Sequence, residues 1–242
     1  MREKTKILSE RLQMLARMVT PGNRAADVGC DHGFLSIYLV QAGISPRVIA
    51  MDVRKGPLAA AREHIDACGL GAYIETRISD GLTALKPQEA DTVICAGMGG
   101  RLMERILTEG AEKAAFFKEL ILQPQSEIGE FRGFLRRTGY EIVEEDMVCD
   151  GGKYYFAMKA VPSAGNRVEQ APREQDRLFD KFGERLLLGR HPLLERYLHH
   201  QENTVMELNR QLKAQGTDRA KVRLDQVQAE LWDIRDALSF FD

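Results

Sequence analysis

The 242-residue chain is 44% hydrophobic and 29% charged, a composition typical of a soluble protein with a buried core. Its formal net charge of −2 excludes a protein that binds polyanions with its whole surface, although it allows local basic patches. The four cysteines lie far apart without a C-x-x-C pair, so we expect no metal. No apolar run approaches the ~18 residues of a membrane span, and the first residues lack a signal-peptide core, which predicts a cytoplasmic protein without membrane contact.

Residues 7–19 carry apolar side chains at helical spacing, which predicts a helix that ends before the Thr-Pro-Gly run at 20–22. Short β-rich runs then alternate with helical stretches such as residues 33–42 and 57–68. The predicted strands are residues 25–28, 48–52, 74–78, 92–96 and 120–123. Strict alternation predicts βαβ units, and therefore a parallel sheet with helices on both faces.

The alternation ends after residue 139. Two strand-like runs at 140–149 and 154–159 flank the turn residues 150–153, which predicts a β-hairpin. A parallel sheet that closes on a C-terminal hairpin is typical of class I methyltransferases. The predicted fold is therefore α/β and Rossmann-like.

The last third of the chain has a different pattern. After a predicted linker at 161–166, mostly apolar residues recur at alternating steps of four and three along two segments on either side of a turn at 213–218. These positions are Leu194, Leu198, Gln201, Val205, Leu208 and Leu212, then Leu224, Val227, Leu231, Ile234 and Leu238. The pattern predicts an antiparallel helical hairpin of the coiled-coil type. We therefore divide the chain into domains 1–160 and 161–242.

The first predicted strand ends in the glycine-rich run ADVGCDHG at 26–33, which leads into a helix. Such a loop presents backbone N–H groups to a ligand. A dinucleotide loop would have a glycine where Asp31 stands, and this carboxylate together with Asp27 would repel a pyrophosphate. The same carboxylates would attract the ammonium and sulfonium groups of S-adenosylmethionine. A βα turn without any ligand is the alternative.

Two further acidic residues follow the next strands. Asp52 ends the second strand, where it can accept hydrogen bonds from both ribose hydroxyls. Asp80 follows the third strand and can accept one from an adenine amino group, although an aspartate before glycine also suits a simple Asx turn. The residues predicted to contact the cofactor are Asp27, Gly29, Cys30, Asp31, His32, Gly33, Asp52, Val53, Ser79, Asp80, Gly81 and Gly97.

The fourth strand ends in AGMGG at 96–100, where class I methyltransferases face the methyl acceptor. The Asn/Asp-Pro-Pro-aromatic run of adenine-N6 enzymes is absent. The glycines leave room for a flat acceptor, although they also suit a flexible turn. The residues predicted near the reacting atoms are Asp31, His32, Met98 and Gly99, of which Met98 has the alternative role of a packing side chain.

Together these segments resemble the bacterial tRNA adenine-22 N1-methyltransferase family. The similarity is carried by residues 8–12, 26–33, 80–82, 96–100, 122–125 and 152–155, and it continues through 182–183, 192–193 and 197–198. The resemblance implies methylation of N1 of an adenine in the D arm of tRNA, with S-adenosylmethionine as donor, S-adenosylhomocysteine as product and a C-terminal coiled coil that helps to hold tRNA.

Adenine N1 presents a ring lone pair, so the attack requires no base. Asp31 could stabilise the cationic product, and His32 could orient groups or simply pack over the cofactor. Residues 1–24 hold six Lys or Arg against two Glu, and residues 209–223 hold five against one Asp, a net charge of +4 each. These clusters suit phosphate contacts, or are ordinary solvated helix faces. The residues predicted to contact RNA are Arg2, Lys4, Lys6, Arg11, Tyr154, Tyr155, Lys213, Arg219, Lys221 and Arg223.

The two tyrosines could stack on the exposed base or pack in the hairpin. We expect a monomer. Two alternatives share much of the sequence pattern: a methyltransferase of another RNA or of a small molecule, and a non-catalytic Rossmann-like scaffold with a coiled-coil interaction arm.

Overall fold

The computed structural model describes residues 8–114, 116–163, 175–215 and 218–242, without the side chains of residues 215 and 218–220. Its contacts divide the chain into two compact units, Met1–Glu169 and Gln170–Asp242. No helix among the described residues has the length and apolar character needed to cross a membrane.

The first unit is built on one seven-stranded sheet with the order β3-β2-β1-β4-β5-β7-β6. The strands are β1 (Ala25–Val28), β2 (Val48–Asp52), β3 (Ile74–Ile78), β4 (Thr92–Met98), β5 (Glu119–Pro124), β6 (Tyr140–Asp150) and β7 (Lys153–Pro162). The first five pair in parallel, whereas β7 pairs antiparallel with both β5 and β6. The predicted Rossmann-like sheet with a closing hairpin is confirmed.

The described residues of the first unit also form six helices, of which the first precedes β1 and the other five lie between strands in the chain. They are α1 (Glu10–Met18), α2 (Phe34–Gln41), α3 (Lys55–Ala67), α4 (Gly100–Glu109), α5 (Ala111–Ala114) and α6 (Ile128–Arg137). Alternate strand residues enter two separate cores. Ile94 packs with residues of α1, α2 and α3, whereas its neighbours Val93 and Cys95 pack with residues of α4 and α6. Helices therefore cover both faces of the sheet, as the βαβ pattern predicts.

Several element boundaries differ from the prediction by one to three residues, and two of the differences are informative. β4 continues to Met98 instead of ending at residue 96, because an irregularity between Ala96 and Met98 keeps the strand paired with β5 beyond Gly97. The predicted linker at 161–166 is wrong at its start, since Val161 and Pro162 pair with the first residues of β6 and belong to β7.

The second unit is helical. It contains α7 (Asp176–Phe182), α8 (Glu184–Leu188), α9 (Pro192–Gln215) and α10 (Asp218–Leu238), of which α7 and α8 were not predicted. The two long helices pack against each other. Leu194, Leu198, Val227 and Ile234, all positions of the predicted apolar stripes, are buried.

Candidate active site

The glycine-rich loop after β1 is a tight turn of left-handed residues. Gly29, Asp31 and Gly33 have φ angles of +77°, +49° and +73°. The N–H groups of Gly29 and Cys30 donate to the carbonyl oxygen of Met51 at 2.8 and 2.9 Å, which attaches the loop to the end of β2. A Cβ on Gly33 would lie 3.1 Å from that of Ala61 on α3, so this glycine permits close packing of the loop.

Asp27 lies beneath this loop at 4% exposure and accepts a hydrogen bond from the hydroxyl of Ser36 at 2.7 Å. Burial raises its pKa to about 6, against the opposing effect of the Ser36 hydrogen bond, and the nearby Asp52 carboxylate raises it further. Burial likewise raises the pKa of the Cys30 thiol, with Asp27 and Asp52 adding to the effect, so Cys30 is a protonated packing group of the loop.

Asp52 ends β2 with a carboxylate at 4% exposure, next to the 60% exposed Val53. Oδ1 of Asp52 accepts the backbone N–H of Arg54 at 2.8 Å, while no described residue donates a hydrogen bond to Oδ2. One carboxylate oxygen therefore remains able to accept a ligand hydroxyl. Val53 offers an apolar surface beside it.

The turn after β3 is organised by Ser79, whose hydroxyl donates to the carbonyl oxygen of Gly81 at 2.8 Å and accepts the N–H of Ala84 at 3.1 Å. Asp80 points away from this turn network with an exposed carboxylate. It pairs with the guanidinium of Arg105 on α4 at 2.9 and 3.3 Å, a partner that the sequence did not indicate. An adenine amino group that donates a hydrogen bond to Asp80 would therefore share this carboxylate with Arg105.

Asp31 and His32 lie exposed at the tip of the loop. The imidazole Nε2 of His32 is 3.9 Å from Asp31 Oδ2, and Nη2 of Arg54 is 3.9 Å from Asp31 Oδ1. The His32 ring stacks on Phe34 with centroids 5.7 Å apart, and Phe34 stacks in turn on His64. The structure thus places one side of His32 in a packed ring cluster and leaves its side chain 49% exposed.

The end of β4 lies against the cofactor loop. A Cβ on Gly29 would lie 2.3 Å from Cε of Met98, so the Met98 methyl group occupies the space that the glycine leaves. Gly100 donates its N–H to the carbonyl oxygen of Ser126 at 3.0 Å, and a Cβ on Gly100 would lie 2.8 Å from that oxygen. On Gly99, a Cβ would lie 2.9 Å from Oγ of Ser126. The glycines of this run therefore allow the loops after β4 and β5 to touch.

Arg11 on α1 reaches the same edge of the sheet. Its Nη1 donates to Oε1 of Gln123, the last but one residue of β5, at 3.0 Å, and the same oxygen accepts the N–H of Gly97 at 3.2 Å. The guanidinium lies over the ring of Tyr155 at 5.6 Å from its centroid. Gln123 was not among the residues predicted for the site, although a polar side chain directly after the apolar run 120–122 is a signal that could have indicated it.

The remaining predicted RNA contacts are scattered. Tyr154 is half-buried in β7, and Lys213, Lys221 and Arg223 are exposed on the long helices of the second unit. Arg2, Lys4 and Lys6 lie outside the described residues, as does the side chain of Arg219. Among the described residues, no cluster of His, Cys, Asp and Glu could hold a metal ion.

Comparison with known proteins agrees with this arrangement. A family model described as a methyltransferase domain matches residues 8–158. A tRNA (adenine(22)-N(1))-methyltransferase of Bacillus subtilis is 36% identical over 160 residues, which cover 66% of this chain and 66% of that relative. A candidate tRNA methyltransferase of Mycoplasma pneumoniae is 31% identical over 172 residues, which cover 69% of this chain and 78% of the relative.

The similarity extends to solved structures. A candidate tRNA (m1A22) methyltransferase of Streptococcus pneumoniae, solved in complex with S-adenosyl-L-methionine, is 28% identical with a TM-score of 0.81. The match covers 96% of this chain and 100% of that chain, and so includes both units. The chain belongs to the class I methyltransferases, within the family of bacterial tRNA methyltransferases that includes the adenine-22 enzyme of Bacillus subtilis.

Proposed function

We propose that this protein transfers the methyl group of S-adenosylmethionine to N1 of adenine 22 in the D arm of tRNA. The observation that carries the choice of donor is the pair of buried carboxylates, Asp27 and Asp52, at the ends of adjacent strands beside the Gly29 turn. Asp27, together with Asp31 in the turn itself, would repel a pyrophosphate, whereas Asp52 suits the ribose hydroxyls and Asp27 the ammonium of S-adenosylmethionine. The similarity to adenine-22 methyltransferases supports the choice of acceptor.

The reaction requires no general base from the protein. When bound, S-adenosylmethionine supplies a sulfonium-activated methyl group, which the N1 lone pair of adenine takes as S-adenosylhomocysteine is formed. Neutral adenine carries no proton on N1, so no residue has to remove one. Alignment of the two substrates can contribute on the order of 7–11 kcal/mol. Asp31, whose side chain is 61% exposed, can stabilise the positive charge that develops on the ring.

The cofactor contacts follow from the geometry of the strand ends. We assign the ribose hydroxyls to Asp52 and the adenine edge to the Asp80 turn, with Val53 against the flat face of the base. Asp27 lies under the loop, where its ionised form favours the ammonium. We assign to His32 an orienting role, because its ring stacks on Phe34 and the attack by adenine N1 requires no base.

The tRNA side of the proposal requires the target base to leave its stem, at a cost of a few kcal/mol. Lys213, Lys221 and Arg223 of the second unit and Tyr154 and Tyr155 of the hairpin are assigned to RNA contact. We further propose two domains, predicted as 1–160 and 161–242, of which the first includes all of β7 up to Pro162. We also propose a monomer and a cytoplasmic location that matches a tRNA substrate. Light scattering on the purified protein, alone and with tRNA, tests the monomer.

Two experiments test the function. Isothermal titration with S-adenosylhomocysteine should show binding at one site, and an absence of binding would contradict the enzyme and favour the scaffold alternative. Tritiated S-adenosylmethionine is then incubated with an unmodified tRNA transcript, with the same transcript carrying guanine at position 22, and with one carrying 1-deazaadenine there. Only the first should be labelled. Equal labelling of all three would show that the acceptor is another atom.

A further inference from the structure

Arg11 is a cation held in a fixed place at the carboxyl edge of the sheet. Its Nη1 is bound by Oε1 of Gln123, a side chain with 0% exposure. Its guanidinium lies over the ring of Tyr155, and its backbone N–H donates to Asp150 Oδ2 at 3.2 Å. Because the groups that hold it belong to β5 and the closing hairpin, the guanidinium is positioned before any substrate arrives.

The described side-chain partners of the Arg11 guanidinium, Gln123 and Tyr155, are both uncharged. In the part of the chain that the structure describes, no carboxylate forms an ion pair with its guanidinium. By contrast, Arg54, Arg101 and Arg105, which follow β2 and β4, each lie within 4.0 Å of a carboxylate oxygen. A preorganised cation without a counter-charge is a binding group for an anion.

The location of Arg11 indicates which anion. A Cβ on Gly97, at the end of β4, would lie 3.6 Å from Nη1 of Arg11, so the guanidinium borders the space that this glycine leaves open. In the proposed function that space receives the adenine. The anions that accompany an adenine nucleotide into it are the phosphates of its own backbone.

We propose that Arg11 binds a phosphate next to the target adenine after that nucleotide has turned out of its stem, and that Gln123 is the positioning residue that fixes the guanidinium. This inference rests on the proposed tRNA methylation. The paired N–H donors of a guanidinium match phosphate oxygens. Since the contact forms only with the displaced nucleotide, it aligns the reacting base and contributes little to general tRNA affinity.

The first test compares substitutions at two arginines of α1. Arg11→Met keeps an unbranched apolar stem but removes the charge, and Arg11→Lys keeps the charge but loses the paired donors. Arg17→Met is the matched control, because Arg17 is 60% exposed and pairs with Asp146 at 3.8 Å. We expect Arg11→Met to lower kcat by about 10- to 100-fold with a small change in KM for tRNA. Arg11→Lys should retain part of the activity and Arg17→Met all of it.

The second test acts through Gln123. Gln123→Glu places a carboxylate against Nη1 and so neutralises Arg11 without removing it. We expect kcat to fall about as far as in Arg11→Met, while the affinity for S-adenosylhomocysteine stays within about threefold of wild type, which shows that the site has folded. If Gln123 served only to pack the sheet, kcat would follow the loss of thermal stability across a series that includes Gln123→Met, and the positioning role would be wrong.

The decisive test removes the anion from the RNA. Two tRNAs are assembled with an uncharged methylphosphonate linkage, one on the 5′ side and one on the 3′ side of the target adenine. The wild-type enzyme should lose about 10- to 100-fold in kcat on one of them, and Arg11→Met should lose nothing further on that tRNA. Independent, multiplying losses on both tRNAs would overturn the proposal. Failure of the wild-type enzyme to methylate unmodified tRNA would instead contradict the proposed function.

Discussion

Replacement of Asp27 by asparagine separates the cost of this carboxylate to folding from its use in cofactor binding. The side chain is buried beneath the glycine-rich loop, and burial with a contribution from Asp52 raises its pKa from 3.8 to about 6 despite the hydrogen bond from Ser36. Asparagine has the same shape as the neutral carboxyl group and can still accept that hydrogen bond. The substitution therefore removes the charge and little else.

The sign and size of the effect follow from the shift. Folded protein holds the Asp27 proton more tightly than the unfolded chain does, so the free energy of unfolding falls as the pH rises from about 4 to about 6 and is then level. A shift of about 2 pKa units corresponds to about 3 kcal/mol. In Asp27→Asn the free energy of unfolding does not fall in this way, because asparagine does not ionise. The variant should be more stable than wild type by up to about 3 kcal/mol at pH 8, which is roughly 6–12 °C in Tm for a unit of this size.

Thermal unfolding followed by circular dichroism from pH 4.5 to pH 8 measures the difference, which should shrink towards the acid end. At pH 8 the same variant should bind S-adenosylhomocysteine at least about tenfold more weakly, because the ammonium loses its carboxylate. Ser36→Ala is the matched control: it withdraws a hydrogen bond from ionised Asp27 and should lower stability by about 1 kcal/mol at pH 8. A variant Asp27→Asn that is no more stable than wild type at pH 8 would refute the reasoning.

Three further substitutions test other parts of the structure. Gly29→Ala should weaken binding of S-adenosylhomocysteine in calorimetry and lower the free energy of unfolding by at least about 1–2 kcal/mol, because alanine at φ +77° is strained and its Cβ would clash with Met98. The double variant with Met98→Ala removes the clash but not the backbone strain, so both properties should recover only in part. Asp52→Ala should weaken the same binding by about 10- to 100-fold in isothermal titration, and unchanged affinity would remove Asp52 from the ribose site. Burial opposes ionisation of Glu119, but its hydrogen bonds, including one from Lys159, outweigh this effect and lower its pKa. Glu119→Gln should therefore lower the free energy of unfolding by about 1–3 kcal/mol in urea at pH 7. The difference from wild type should shrink as the pH falls below the ordinary pKa of glutamate.

The sheet could be predicted because each parallel strand is a short apolar run between helical stretches, a pattern set by burial on both faces. Boundaries were less predictable, since they depend on pairing between distant segments. Gly97 has the appearance of a strand end in the sequence, yet β4 continues past it because β5 lies alongside. The short helices α7 and α8 lack a full apolar period of their own, and so gave no periodic signal.

The places of the proposed cofactor residues in the fold were predictable for a similar reason. Asp27, Gly29 and Asp52 are defined by their places at strand ends, and a strand end can be read from local sequence. The pairing of Asp80 with Arg105 spans 25 residues and that of Arg11 with Gln123 spans 112. Such pairs depend on which loops the fold brings together, and no local pattern encodes them. The role of Arg11 therefore changes from one member of a basic cluster to a specific group beside the acceptor.

The position of Arg11 also constrains the order of events in the proposed reaction. The transfer moves a positive charge from the sulfonium to the adenine ring, towards the side of the site where the guanidinium lies. If the charge moves from about 10 Å to about 6 Å from the guanidinium, the added repulsion at an effective dielectric constant of about 20 raises the barrier by about 1 kcal/mol. A phosphate bound to Arg11 offsets this repulsion, and the carboxylate of Asp31 adds attraction. An adenine nucleotide without its flanking phosphate should therefore react slowly even when the base is correctly placed, because an uncompensated Arg11 would oppose the charge that methylation creates.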